Sequence, residues 1–177
     1  FDSITFKIDD KYSGSHFALA LKLMDSASYN VFRYNKFIGV KSDSTTLNFV
    51  PLVQALRVAD STGAYLHFES NLFRYGWICF QAQLFSATVT GVHELKLEKN
   101  KFDSFFGMGI DINLNQTRTI VSENRMTNDI GSIPVNSFIK VNGNSESSFK
   151  IDRNYLNCVS NRIGGLIHTY GISNKLE

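Results

Sequence analysis

The sequence predicts an all-β fold, a rod of stacked strand-and-turn coils, on three observations. Two prolines, twelve glycines and abundant Asn, Ser, Thr, Phe and Ile favour strands joined by tight turns. Helical periodicity is nearly absent: SHFALALKLM (15–24), the most helix-like stretch, spaces Phe17, Leu19, Leu21 and Leu23 at period two, which suits a strand. Finally, one phrase recurs, as NVFRYNKF (30–37), LHFESNLF (66–73), ELKLEKNKF (94–102), RTIVSENRM (118–126) and SFKIDRNYL (148–156). Copies a few tens of residues apart are the mark of stacked units.

The copies align on Asn35, Asn71, Asn100, Asn124 and Asn154, at intervals of 36, 29, 24 and 30 residues. Three places before each Asn stands Phe32, Phe68, Leu97, Val121 or Ile151, and two places after it Phe37, Phe73, Phe102, Met126 or Leu156. ITFKIDDKY (4–12) reads as a poorer first copy, with Ile8 and Tyr12 in the apolar places; terminal repeats are often atypical. After each Asn a Gly opens a second alternating strand, as in GWICF (76–80), GMGIDINL (107–114), GSIPV (131–135) and GGLIHTYGI (164–172). The expected unit is therefore strand, Asn-bearing turn, strand, then a variable excursion. VPLVQALRVAD (50–60) holds the one apolar 3–4 spacing and is read as a turn of helix.

A lone strand cannot bury its apolar face. Stacking successive units buries it and pairs each backbone with the coil above and below, at about 4.8 Å per coil. About six coils would make a rod roughly 30 Å long. The Asn would stand at the corner in a left-handed conformation, which it tolerates better than most residues. Its amide would bond the next Asn, forming a ladder of otherwise costly buried polar groups. An antiparallel β-sandwich with coincidental Asn-x-Phe turns is the rival.

The 177 residues suffice for one domain spanning 1–177. At 43% hydrophobic and 13% aromatic residues, the chain carries enough apolar surface to fold. The net charge of +2 is scattered, which argues against nucleic-acid attraction. No stretch reaches the length of a membrane-spanning helix, and no signal peptide is recognisable. Cys79 and Cys158 read as small buried hydrophobes, with one disulfide as the alternative. The chain opens on Phe1 and closes on Lys175-Leu176-Glu177, which reads as a fragment of something longer with a cloning remnant.

Aligned outward positions make columns. Two places before the Asn the column reads Arg33, Glu69, Glu98, Ser122, Asp152. Glu69 and Glu98 would then sit about one coil apart, near the separation at which two carboxylates serve as proton donor and nucleophile in retaining glycosidases. A solvated face of alternating charge, with Lys96 and Lys99 nearby, is the plainer reading. Trp77, the only Trp, follows Arg74, Tyr75 and Gly76; such a set suits a sugar cleft, where C–H faces stack on rings and charged groups bind hydroxyls. A Trp packed at a coil corner or between subunits is the alternative. Asp111 and Asn113 are too few for a calcium site. His16, His67, His93 and His168 are isolated, with no zinc spacing or triad partner, so no metal or cofactor is expected.

The Asn-centred copies resemble those of right-handed, single-stranded parallel β-helix proteins of the pectate lyase-like superfamily, over residues 4 to about 170. An Asn- and Ser-rich, Pro-poor piece of this kind looks most like part of a bacteriophage tailspike or fibre. The resemblance implies a homotrimer, in the virion tail or secreted, that binds and often cleaves bacterial surface polysaccharide (lipopolysaccharide or capsule). On that reading Glu69 and Glu98 are the catalytic pair, and Arg33, Arg74, Tyr75, Trp77 and Asp152 are glycan contacts. A secreted polysaccharide lyase or glycoside hydrolase fragment and a non-catalytic shaft are the alternatives; fold alone does not choose between them.

Overall fold

In the computed structural model the described residues are 1–8, 19–23, 29–40, 51–57, 64–84, 92–114, 118–128, 137–143, 147–158 and 165–170. They form seventeen strands. The first are β1 (Thr5–Lys7), β2 (Leu21–Leu23), β3 (Asn30–Arg33), β4 (Lys36–Ile38) and β5 (Pro51–Arg57). Next come β6 (Ala64–Glu69), β7 (Leu72–Arg74), β8 (Ile78–Leu84), β9 (Val92–Glu98), β10 (Lys101–Asp103) and β11 (Met108–Asn113). The last are β12 (Arg118–Ser122), β13 (Arg125–Asn128), β14 (Ser137–Asn142), β15 (Ser148–Asp152), β16 (Tyr155–Cys158) and β17 (Ile167–Tyr170).

Every third strand pairs, and every pairing between strands is parallel. Three sheets result, ordered β3-β6-β9-β12-β15, β1-β4-β7-β10-β13-β16 and β2-β5-β8-β11-β14-β17. The chain is a parallel β-solenoid whose turns each give one strand to each sheet. The parallel pairing rules out the antiparallel sandwich.

The core fills the space between the sheets with like residues stacked on like. Phe1, Phe32 and Phe68 stack at ring separations of 4.8 and 4.6 Å. Phe6, Phe37, Phe73 and Phe102 stack at 5.0, 5.0 and 4.7 Å. Rings this close and nearly parallel follow from the inter-strand spacing. The first copy of the phrase is thus Phe1–Phe6, with Ile4 in the Asn place, and the assignment of Ile8 and Tyr12 is corrected; Tyr12 lies outside the described residues.

Three further expectations change. The unit has three strands, because a short strand (β4, β7, β10, β13, β16) directly follows the Asn. Three or four residues are too few for an alternation to show. Residues 51–57 are strand β5, paired with β2 and β8, and not a turn of helix. Leu52, Val53 and Ala55 all lie in the core, so their spacing reflects burial between partners that override local preference. The readings of 15–18, 131–135 and 171–172 fall outside the described residues.

The third change is at the corner. The left-handed residue is not the Asn but the one before it: Ser3, Tyr34, Ser70, Lys99, Glu123 and Arg153 have φ of 56°, 55°, 56°, 57°, 56° and 51°. That residue makes the bend, at a steric cost of roughly 1–2 kcal/mol for a non-glycine, and its side chain points away from the ladder. The Asn is thereby free to aim its amide along the rod. Asn35, Asn71, Asn100 and Asn124 each donate Nδ2 to the next Asn Oδ1, at 3.1, 3.0, 3.1 and 2.9 Å. Each also donates its backbone N–H to that same oxygen. The other Nδ2 hydrogen of Asn71, Asn100, Asn124 and Asn154 goes back to the carbonyl of Phe32, Phe68, Leu97 or Val121. All hydrogen-bonding capacity of the inner, buried amides is used.

Candidate functional site

The five-stranded sheet carries the charge. Its register aligns Arg33, Glu69, Glu98, Ser122 and Asp152 at the strand ends. Arg33 Nε donates to Glu69 Oε2 at 2.9 Å, and Lys99 Nζ lies 3.9 Å from Glu69 Oε1. Ser122 Oγ donates to Glu98 Oε1 at 3.3 Å. His67 Nε2 is 3.0 Å from Glu98 Oε2 but lacks the alignment of a hydrogen bond. Asp152 is held by Arg153 at 2.9 Å. Glu69 and Glu98 therefore stand on neighbouring strands, each with its own polar partners.

Two more columns lie beside this one. Four places before the Asn are Val31, His67, Lys96, Ile120 and Lys150, and six places before it Tyr29, Tyr65, Glu94, Arg118 and Ser148. Tyr29 and Tyr65 stack at 4.9 Å and remain 77% and 43% exposed, unlike the buried core rings. Lys96 Nζ and Arg118 Nη1 lie 2.7 and 3.7 Å from the two Glu94 oxygens. Tyr29, Val31, Tyr65, His67, Glu94 and Lys96 line a recess of about 170 Å³. Along the sequence His67 stands out only as an isolated histidine and Lys96 only as a nearby charge, and Tyr29, Val31, Tyr65 and Glu94 are not singled out. Counting back from the Asn by four and six, as was done by two, exposes them.

Arg74, Tyr75 and Trp77 are elsewhere, on β7 and the corner that follows, in a different sheet from Glu69 and Glu98. Arg74 binds Asp103 through Nε at 2.9 Å and through Nη2, and its guanidinium lies 5.6 Å from the Tyr75 ring centre. Burial pushes the Asp103 carboxyl up, but hydrogen bonds from Arg74 and Ser104, with the Arg74 and Lys101 charges, outweigh it and hold the pKa below the ordinary value. Trp77 is half-buried, its indole resting on Gly107 one turn along, where a Cβ would meet the ring at 2.8 Å.

On the third sheet Gln54, Gln81, Asp111 and Lys140 are in register. Gln54 donates to Gln81 at 2.9 Å, and Gln81 to Asp111 Oδ2 at 3.1 Å. Lys140 Nζ is 3.6 Å from Asp111 Oδ1. Asp111 is thus bound up in a buried polar column, and Asn113 in the same strand is exposed. Among the described residues no three His, Cys, Asp or Glu are grouped as a metal ion needs. Cys79 is a buried free thiol, so it forms no disulfide with Cys158; burial pushes Cys79 up to about 12, which leaves it protonated and unreactive.

What the five-stranded face supplies is chemically mixed: stacked phenol rings at one end, then carboxylates, amines and an imidazole in register from strand to strand. No family model, no curated protein and no solved structure matches the chain.

Proposed function

We propose that this chain is the carbohydrate-binding part of a tailspike-like protein, its coil right-handed, gripping an extended bacterial surface polysaccharide along the outer face of the five-stranded sheet. The carrying observation is the exposed Tyr29–Tyr65 stack opening onto the His67, Glu94 and Lys96 recess. Large rings left in water at ordered positions, flanked by charged hydrogen-bonding groups, suit the two faces of a sugar ring. Columns repeating along the rod suit a polymer that repeats along its own length. Right-handedness follows from the strong bias of parallel strand crossovers. A homotrimer outside the host cytoplasm, acting on lipopolysaccharide or capsule, belongs to the same reading. Should the glycan also be cleaved, Glu69 and Glu98 are the nucleophile and proton donor to mutate first.

Calorimetric titration against purified lipopolysaccharides and capsular polymers tests this. Wild type is expected to bind at least one, and Tyr29→Ala/Tyr65→Ala to bind it about tenfold more weakly, the loss of about 1.4 kcal/mol. Glu69→Gln and Glu98→Gln are expected to keep binding and to abolish any release of reducing ends. Absence of binding across the panel, or tyrosine variants that bind as wild type does, would leave the chain a shaft.

A further inference from the structure

Charge is spread unevenly over the three sheets. The strands of the sheet β1-β4-β7-β10-β13-β16 carry Lys7, Lys36, Arg74, Lys101 and Arg125, and one carboxylate, Asp103. That balance is twice the net charge of +2 on the whole chain. The register sets Thr5, Lys36, Leu72, Lys101, Arg125 and Tyr155 in a single outward column. Its cations have no acid among them.

These cations are also poorly neutralised. Asp103 is buried and bound by Arg74 and Ser104, and Lys101 Nζ lies 3.6 Å from it. Among the described residues no carboxylate pairs with Lys7, Lys36 or Arg125. On the five-stranded sheet, by contrast, Arg33, Lys96 and Arg118 are each paired with Glu69 or Glu94. Lys7, Lys36, Lys101 and Arg125 are all exposed. Lys101 and Arg125 stand directly opposite each other on neighbouring strands, where like charges repel. A partner bearing negative charge would relieve that repulsion.

The rest of the face narrows the partner. Lys and Arg donate hydrogen bonds and accept none, and the one carboxylate is buried in its own bonds. Sugar hydroxyls, which need acceptors as well as donors, find little here. Stacked bases need a series of free rings, whereas the one ring in the column, Tyr155, lies 5.3 Å from the Arg125 guanidinium. Exposed phenols do flank the cations: Tyr34, two places before Lys36, at 60% exposure, and Tyr155 at 54%. Rings with an apolar body and a polar tip sit well at the level of lipid headgroups, and clustered Lys and Arg are what an anionic bilayer attracts. We propose that the outer face of this sheet is a docking surface for an anionic lipid bilayer, on which the chain rests without inserting. Lys7, Lys36, Lys101 and Arg125 meet lipid phosphates, and Tyr34 and Tyr155 enter the headgroup layer.

The inference uses a different sheet from the glycan reading and does not depend on it. Vesicle flotation tests it, with vesicles of phosphatidylcholine alone and of phosphatidylcholine mixed equally with phosphatidylglycerol. Wild type is expected to float with the mixed vesicles only, and to be released as salt rises. Lys36→Gln/Lys101→Gln/Arg125→Gln should partition about a hundredfold more weakly, and Lys101→Gln alone about fivefold. Lys36→Arg/Lys101→Arg, which keeps the charge, should float as wild type does, and so should Lys22→Gln, on β2 of another sheet. Tyr29→Ala/Tyr65→Ala should keep full vesicle binding, so that loss of glycan binding and loss of membrane binding are told apart. Wild type that ignores the anionic vesicles, or that stays on them at high salt, would overturn the proposal without any variant. So would a triple variant that floats as wild type does, or loss of flotation in the Tyr29/Tyr65 variant. Preference for oligothymidylate or dextran sulfate over vesicles of equal charge, lost in the triple variant, would overturn it in favour of a linear polyanion.

Discussion

Asn100 is bonded to two neighbouring coils at once, and its value is set by what would be stranded without it. Replacing it by Ala removes the acceptor of the Asn71 N–H and of one Asn71 Nδ2 hydrogen, and the amide donor to Phe68 O. Buried groups left without partners cost about 1–3 kcal/mol each. Asn100→Ala is therefore expected to lower stability by about 3 kcal/mol in chemical denaturation, and Asn154→Ala, at the half-buried end, by about 1 kcal/mol. Equal losses at both positions would show that the ladder is not what the amides are for. The same residue scale explains why the corner was half legible in sequence. The Asn recurs and is visible, whereas its left-handed neighbour is Ser, Tyr, Lys, Glu or Arg. A backbone bend imposed by stacking on coils above and below needs no particular side chain.

Arg74 and Asp103 join β7 to β10, adjacent elements of the six-stranded sheet. Because Asp103 titrates lower in the folded chain than its ordinary 3.8, the unfolded chain takes up the proton first as pH falls. The contribution is complete above about pH 3.8 and is lost as pH drops below that, through the folded pKa. Acid melting curves of Asp103→Asn should accordingly fall less steeply than wild type in that window; parallel curves would contradict the assignment. Among elements, the long strands β6, β9 and β12 were readable because five to seven residues carry an alternation. The short strands after each Asn were not. The candidate site divided likewise: the Arg33–Asp152 column followed from counting, while Arg74, Tyr75 and Trp77 were grouped by adjacency in sequence and fold onto another sheet.

For the whole rod, each turn touches only its neighbours, so stability is nearly a sum along one dimension. Inner turns have two neighbours and end turns one. Amide exchange should be slowest around Asn71 and Asn100 and fastest on β1–β3 and β15–β17, where local opening breaks one interface. Uniform protection would mean that the rod unfolds all at once. The sequence by itself determined that strands stack in repeats, which apolar residues flank the Asn in the five later copies, and that an Asn stands at the corner of each of those five. These are properties of a period, and a period is written along the chain. Only the tertiary structure decided that three strands make a turn, that Phe1 and Ile4 begin the repeat, and that Tyr29 and Tyr65 meet in water. Such choices depend on which residue lies over which in the next turn, and loops of unequal length hide that registration from any reading along the chain.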